Sequence, residues 1–303
     1  MIQADLLKSE IFTVLYLPYS IYRAIYLNMK MLFELVLRLT TLIAVVYIAL
    51  MLLIYLSQTR LLYLPDQYRP TPKRVAAHNM QYWPGSGREY RGLLASPRSR
   101  AKGTIIVFHG NAGNAWGRRF YIKPLIESGY RVILAEYPGY AGRSGSLGEE
   151  ALVTDARGTI EAAHQQFGGP IILWGESLGA AVAAAATEDS NVTVAAVVLI
   201  TPWDSLPALA QTLYWYLPAR WLTRDQYNNT ANLKHYTGRV AVLVAEQDEI
   251  IPSKQSARFY DSLTTNKQLW LFKGANHNGW PIDPKSSWWK EVTSYITSES
   301  SKP

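Results

Sequence analysis

The stretch Ile171-Ile172-Leu173-Trp174-Gly175-Glu176-Ser177-Leu178-Gly179-Ala180-Ala181 decides how the chain folds. A short apolar run with the character of a buried strand breaks at Gly175, presents a serine two residues later, and passes into an alanine-rich helical run. So tight a turn holds its serine in a strained backbone conformation and needs neighbours without bulk, which Gly175 and Gly179 supply. The strain thrusts the hydroxyl out at the carboxyl end of a sheet, above a helix amino terminus that favours negative charge. G-x-S-x-G also arises by chance at ordinary turn serines. The strand before it and the helix after it are what make Ser177 a candidate nucleophile.

Outward from this elbow, strands and helices alternate. Thr104–Phe108 is a continuous β-branched run, expected to be buried on both faces, and it ends in His109-Gly110-Asn111-Ala112-Gly113-Asn114. Residues 120–128 read as a helix, 131–136 as a strand, and Glu149–Phe167 as a longer helix stopped by Gly168-Gly169. Strands follow at Val194–Ile200, Arg239–Ala245 and Lys267–Phe272, with a closing helix over about 286–298. Upstream, 74–82 and 89–95 read as a hairpin about Pro84-Gly85-Ser86-Gly87. The alternation predicts an α/β fold, a mostly parallel sheet with helices on both faces. One insertion over 203–236 breaks the rhythm and is rich in aromatics. It reads either as a helix pair packed as core or as a small helical cap walling an acyl pocket. In the second reading Trp203, Tyr214 and Trp215 contact substrate.

A serine hydroxyl attacks only when a histidine takes its proton, and that histidine needs a carboxylate to fix its tautomer. The order serine, acid, histidine is met by Asp248 in Glu246-Gln247-Asp248-Glu249-Ile250-Ile251-Pro252 and His277 in Gly274-Ala275-Asn276-His277-Asn278-Gly279. Of the five histidines, His277 alone sits in a glycine-flanked loop after the final strand. Asp204, just after the preceding strand, and the adjacent Glu249 remain alternative acids. The oxyanion of a tetrahedral intermediate needs two N–H donors, predicted at Leu178 and at Asn111. Arg143, in the loop 136–145, is a weaker candidate for holding an anionic group of a substrate.

The absence of cysteine excludes disulfides, thiolate metal sites and a cysteine nucleophile, and neither a metal nor a cofactor is expected. The hydrophobic fraction of 49% in 303 residues supports a large core. A net charge of +7 is spread along the chain without a basic run, which argues against nucleic acid and fits a cationic surface facing anionic lipid. Residues 39–59 carry no charge at all. About 20 residues at 1.5 Å each cross the ~30 Å hydrocarbon core, so this run is a transmembrane helix candidate. A core helix would show a polar face, and a signal peptide would be shorter and nearer the start. The apolar segment 11–22, interrupted by Pro18, reads as interfacial, and 61–72, with three prolines, as an extended linker, with Tyr55, Tyr63 and Tyr68 suited to a membrane interface. The predicted organisation is a membrane segment over 1–60 and an α/β domain over 61–303. The flanking basic residues are level on the two sides of the span and set no orientation.

Taken together, H-G-N-A-G-N, Y-P-G-Y-x-G-x-S, G-E-S-L-G, Q-D-x-I-I-P and G-A-N-H-N resemble the serine α/β-hydrolase superfamily, and within it the membrane-anchored, prolyl-oligopeptidase-related abhydrolase branch. The resemblance implies a membrane-bound serine hydrolase acting on carboxylic ester or thioester bonds of lipophilic acyl substrates, with its catalytic domain on the non-cytoplasmic face. A serine peptidase and a catalytically silent binding protein are the alternative readings. Glu136 departs from the aspartate that many relatives carry before the aromatic loop, which is expected to leave the chemistry unaffected.

Overall fold

Ile171–Glu176 is buried at every position, because it lies inside a sheet covered on both faces. A computed structural model describes residues 18–85 and 89–297. Its strands are β1 (Leu64–Pro65), β2 (Gln81–Trp83), β3 (Gly92–Ala95), β4 (Thr104–Phe108), β5 (Ala112–Gly113), β6 (Arg131–Ala135), β7 (Ile171–Glu176), β8 (Val194–Ile200), β9 (Arg239–Ala245) and β10 (Lys267–Phe272). Its α-helices are α1 (Tyr19–Leu62), α2 (Pro72–Ala76), α3 (Ile122–Glu127), α4 (Glu149–Phe167), α5 (Leu178–Ala185), α6 (Leu206–Leu213), α7 (Ala219–Leu222), α8 (Asn229–Asn232), α9 (Ser253–Ser262) and α10 (Trp288–Thr297). Eight strands form one sheet in the order β10-β9-β8-β7-β4-β6-β3-β2. All neighbours are parallel except β3, which runs against both β2 and β6. This is the mostly parallel α/β sheet that the alternating pattern predicts.

The continuous apolar strands follow from that topology. Ile106, Phe108, Leu173 and Val197 face helices α4 and α5, whereas Val107, Trp174 and Val198 face the opposite layer. In that opposite layer Trp174 meets Tyr121, Trp288 and Trp289 at ring-centroid distances of 6.0, 6.2 and 5.9 Å. Each large buried apolar side chain contributes roughly 1.5–3 kcal/mol relative to exposure, so these strands anchor the sheet.

Two upstream readings change. The strand expected over 74–82 is preceded and partly replaced by a helix over 72–76, because Thr71 caps it by accepting from Arg74 N and Pro72 takes the first turn, where no N–H is needed. The strand begins only at Gln81, and the turn residues 86–88 lie outside the described residues. The segment after α1 is also no free spacer. Leu64–Pro65 pairs in parallel with Ala112–Gly113, and Tyr63 is buried with its hydroxyl donating to Asp225 Oδ2 at 2.6 Å. Tyr63 therefore belongs to the core and not to an interface.

The described chain divides into two compact units that meet between Leu56 and Ser57. In the first, helix α1 begins at Tyr19, and Pro18, expected to interrupt the chain, accepts from Ile21 N and Tyr22 N and starts the helix. The reading of 11–22 as an interfacial segment falls outside the described residues up to residue 17. Beyond it one continuous helix of 44 residues runs through the predicted span. Arg23, Lys30, Glu34 and Arg38 fall on one helix face by their spacing. Past Arg38 most of the large apolar side chains are exposed, Met51 being buried, and Thr40 and Thr41 satisfy their hydroxyls on the carbonyls of Val36 and Leu37. The helix is long and apolar enough to cross a membrane.

Candidate active site

Ser177 sits at φ 53°, ψ −118°, a left-handed conformation for a residue with a side chain, between the end of β7 and the start of α5. Such strain costs on the order of 1–3 kcal/mol and persists only where the surroundings over-determine it. Here they do. A Cβ on Gly175 would lie 2.2 Å from Gly179 O, and one on Gly179 would lie 2.0 Å from Phe108 O. Strand, turn and helix therefore touch backbone to backbone, and only glycine fits at either position.

Three loops at the carboxyl ends of parallel strands converge on this serine. His277 Nε2 lies 3.1 Å from Ser177 Oγ, and His277 Nδ1 lies 2.8 Å from Asp248 Oδ2. The carboxylate accepts at Nδ1, so Nδ1 carries the proton and Nε2 is free to accept from the serine. The other oxygen of Asp248 accepts from Ile250 N and Ile251 N at 2.9 and 2.6 Å, which fixes the carboxylate before it meets the ring. Both side chains are nearly removed from solvent. A buried charge paired in this way interacts far more strongly than it would in water.

The alternative acids are committed elsewhere. Asp204 accepts from Ser205 N at 2.7 Å and pairs with Arg258 at 3.2 Å, while Glu249 accepts the backbone N–H of His277 at 3.2 Å. Asp248→Asn is accordingly expected to lower turnover about 10,000-fold by favouring the wrong histidine tautomer. Asp204→Asn is expected to change it less than severalfold, and kcat measured on the two purified variants checks the contrast.

The N–H of Leu178 opens helix α5, and that of Asn111 lies in the loop after β4; neither donates to an acceptor among the described residues. The rest of Asn111 is pinned. Its carbonyl accepts from Leu64 N at 3.0 Å and from Tyr140 Oη at 2.7 Å, and its Nδ2 donates to Leu62 O at 2.8 Å. Glu136 holds both ends of the same loop, with Oε1 3.1 Å from His109 Nε2 and Oε2 accepting from Ala115 N at 3.0 Å. Glu136 is thus the clamp of this loop, a role that its place before the aromatic loop gives no hint of in sequence.

A second carboxylate went unread because it occupies the variable position of the motif. Glu176 Oε1 accepts from Gly110 N at 3.2 Å and from Arg118 Nε at 2.5 Å, and its Oε2 accepts from Tyr121 Oη at 3.0 Å. Burial works against the charge on Arg118, and the Glu176 carboxylate more than offsets it, raising the guanidinium above its ordinary value. Burial, reinforced by Glu176, pushes the Tyr121 hydroxyl well above its usual range, so it remains a donor. The arginine singled out in sequence is spent: Arg143 makes two 2.8 Å bonds to the Asp155 carboxylate and also donates to Glu136 O.

The aromatic candidates of the insertion separate. Trp203 is buried in the core, with Nε1 donating to Tyr227 O at 3.2 Å, whereas Tyr214 and Trp215 are exposed. Among the described residues no hydrogen bond or ring contact joins any of the three to Ser177 or His277. Residues 203–236 do contain three short helices, α6, α7 and α8.

Comparison with known proteins agrees with this architecture. A family model described as the alpha/beta hydrolase fold matches residues 103–239. An uncharacterized protein of Mycobacterium tuberculosis is 30% identical over 244 residues, covering 78% of this chain and 86% of that protein. Lysophosphatidylserine lipase ABHD12 of Danio rerio is 29% identical over 54% of this chain, a match that spans 48% of the lipase. A crystal structure of the esterase Pf2001 of Pyrococcus furiosus superposes with a TM-score of 0.60 at 17% identity, covering 78% of this chain and 96% of that one. The family match names the superfamily and not the prolyl-oligopeptidase-related branch within it. With its elbow, its sheet order and a relative matched over most of its length, this chain belongs to the alpha/beta-hydrolase superfamily and is a hydrolase.

Proposed function

We propose that the protein is a membrane-anchored serine hydrolase that cleaves carboxylic ester or thioester bonds of lipophilic acyl substrates through Ser177, His277 and Asp248. The observation that carries this reading is the hydrogen-bonded chain from Ser177 Oγ through His277 to Asp248 at a glycine-built elbow. In the first step His277 Nε2 takes the proton of Ser177 while Oγ attacks the substrate carbonyl. The oxyanion forms opposite the N–H groups of Leu178 and Asn111. His277 then protonates the leaving alcohol or thiol, and an acyl-serine remains. A water molecule, deprotonated by His277, attacks that ester, and collapse of the second intermediate releases the acid and returns the proton to Ser177. Asp248 stays ionised throughout and stabilises the transient imidazolium.

The lipophilic substrate class is supported by helix α1, by the lipase and esterase among the similar proteins, and by the aromatic insertion. Anchoring through residues 39–59 is supported by their length and lack of charge. The non-cytoplasmic side for the catalytic unit rests on the family resemblance alone.

The test is a matched substrate panel on purified full-length protein: p-nitrophenyl acyl esters, a lysophospholipid, a monoacylglycerol and peptide p-nitroanilides. The expected result is ester hydrolysis with kcat/KM at least about 100-fold above that for amides, since an amide leaving group needs stronger protonation by the histidine. A preference for amides would replace this reading by a peptidase. Inactivity on every substrate, together with no effect of Ser177→Ala in cells, would replace it by a silent fold.

A further inference from the structure

The insertion carries large apolar side chains that nothing in the described structure covers. Trp215 is 78% exposed and Trp221 86%, with Tyr216 at 61% and Tyr214 at 49% between and beside them. The other eight of the ten tryptophans are all buried. An indole presents roughly 150–250 Å² of surface and burial is worth ~25 cal/mol per Å², so leaving two in water forgoes several kcal/mol. Large aromatic side chains exposed within one short segment, with Trp215 and Tyr216 in ring contact at 5.8 Å, mark a surface that meets something apolar.

What it meets is indicated by the point at which the patch is fastened. Gln58 Nε2 donates to Leu222 O at 2.8 Å, and Gln58 Oε1 accepts from Arg224 N at 2.9 Å. These bonds grip the end of helix α7, the helix that bears Trp221. Gln58 itself stands one residue before the end of the uncharged run 39–59, with Arg60 directly after it. A bilayer crossed by that run has its boundary at Gln58, and the residues bonded to Gln58 lie at the same level. Tryptophan and tyrosine are the side chains enriched at that level, where an apolar ring body and a polar N–H or O–H are both satisfied. Arg60 and Arg220 are exposed, cations suited to anionic headgroups.

We infer that residues 213–221 form a lipid-docking surface that seats Trp215, Tyr216 and Trp221 in the headgroup region of the bilayer. The inference rests on the membrane reading above but not on the catalytic one. Docking holds the insertion against the lipid from which an acyl substrate would arrive, so the substrate need not cross bulk water.

The distribution of tryptophan makes the test specific, because residues 1–62 contain none. Full-length protein is incorporated into nanodiscs of phosphatidylcholine and phosphatidylglycerol, with or without bromine on the upper acyl chain, and tryptophan emission is recorded. The expected result is weaker emission in the brominated discs, with most of that loss absent in the double variant Trp215→Phe/Trp221→Phe and part of it absent in each single variant. These substitutions are at exposed sites and keep an aromatic ring, and near-ultraviolet circular dichroism checks that the fold is retained. Equal emission in brominated and plain discs by incorporated protein overturns the inference, as does a loss that the double variant keeps. Protection of Trp215 and Trp221 from aqueous acrylamide without bromine quenching identifies a second copy as the occupant and overturns it too. Failure of the protein to enter discs at all overturns the membrane reading together with the docking. None of these outcomes depends on hydrolysis, so loss of the catalytic reading would leave the measurement intact.

Discussion

His277→Ala is expected to lower ester hydrolysis on the order of 10⁶-fold, an effect matched only by removal of Ser177. The reason is chemical and local. Without an acceptor at 3.1 Å, Ser177 keeps its proton, and no group remains to protonate the leaving oxygen. Removing Ser177 or both side chains together should cost about as much as removing the histidine alone, because members of one catalytic unit do not contribute additively. The fold should survive. Asp248 retains the two N–H donors of Ile250 and Ile251, so its carboxylate is not orphaned. Activity against p-nitrophenyl esters, measured beside the thermal midpoint of the same preparation, separates the two effects. A variant that melts normally and retains a hundredth of wild-type turnover would rule out His277 as the base.

Gly179→Val is expected to have the largest effect on stability. Its Cβ would stand 2.0 Å from Phe108 O and 2.6 Å from His109 O, both backbone atoms in the adjoining strand and its loop. Neither can yield unless β4 moves away from α5, and β4 is a central strand of the sheet. The predicted loss is ~4 kcal/mol or more, in the range reserved for substitutions that collide with a packed backbone. Gly117→Ala is the matched control, since its Cβ would meet only Asn114 Oδ1 at an ordinary 3.7 Å. Denaturant midpoints of the two variants provide the comparison. A Gly179→Val protein as stable as Gly117→Ala would mean that the elbow does not pack as described.

The elbow and the sheet were legible because a buried parallel strand needs an unbroken apolar run and the turn at Ser177 needs glycine two positions to either side. Both demands are local, and the sequence answers them at Ile171–Glu176 and at Gly175 and Gly179. His277 and Asp248 were legible in a weaker sense, as the loop residues in the required order after the last two strands. What was hidden depends on contacts across long separations. Tyr63 reads as an interfacial aromatic until its hydroxyl meets Asp225, 162 residues away. The proline-rich segment reads as a spacer until Leu64 pairs with Ala112. Glu176 reads as motif filler, and only the fold brings Gly110, Arg118 and Tyr121 to it. Arg143, a weaker candidate in sequence, is held by Asp155 in the structure. The helix at Pro72–Ala76 is announced by Thr71-Pro72, while the aromatic Tyr82 and Trp83 downstream of it favour a strand.

The account stands on Ser177 as the nucleophile, and the most direct measurement is covalent. A fluorophosphonate reacts only with a serine whose proton is being withdrawn, and peptide mass spectrometry locates the adduct. The account predicts one modified serine, Ser177, in the native full-length protein, no modification after heat denaturation, and none in Ser177→Ala or His277→Ala. Labelling at another serine, or native protein that stays unmodified while folded, would contradict it.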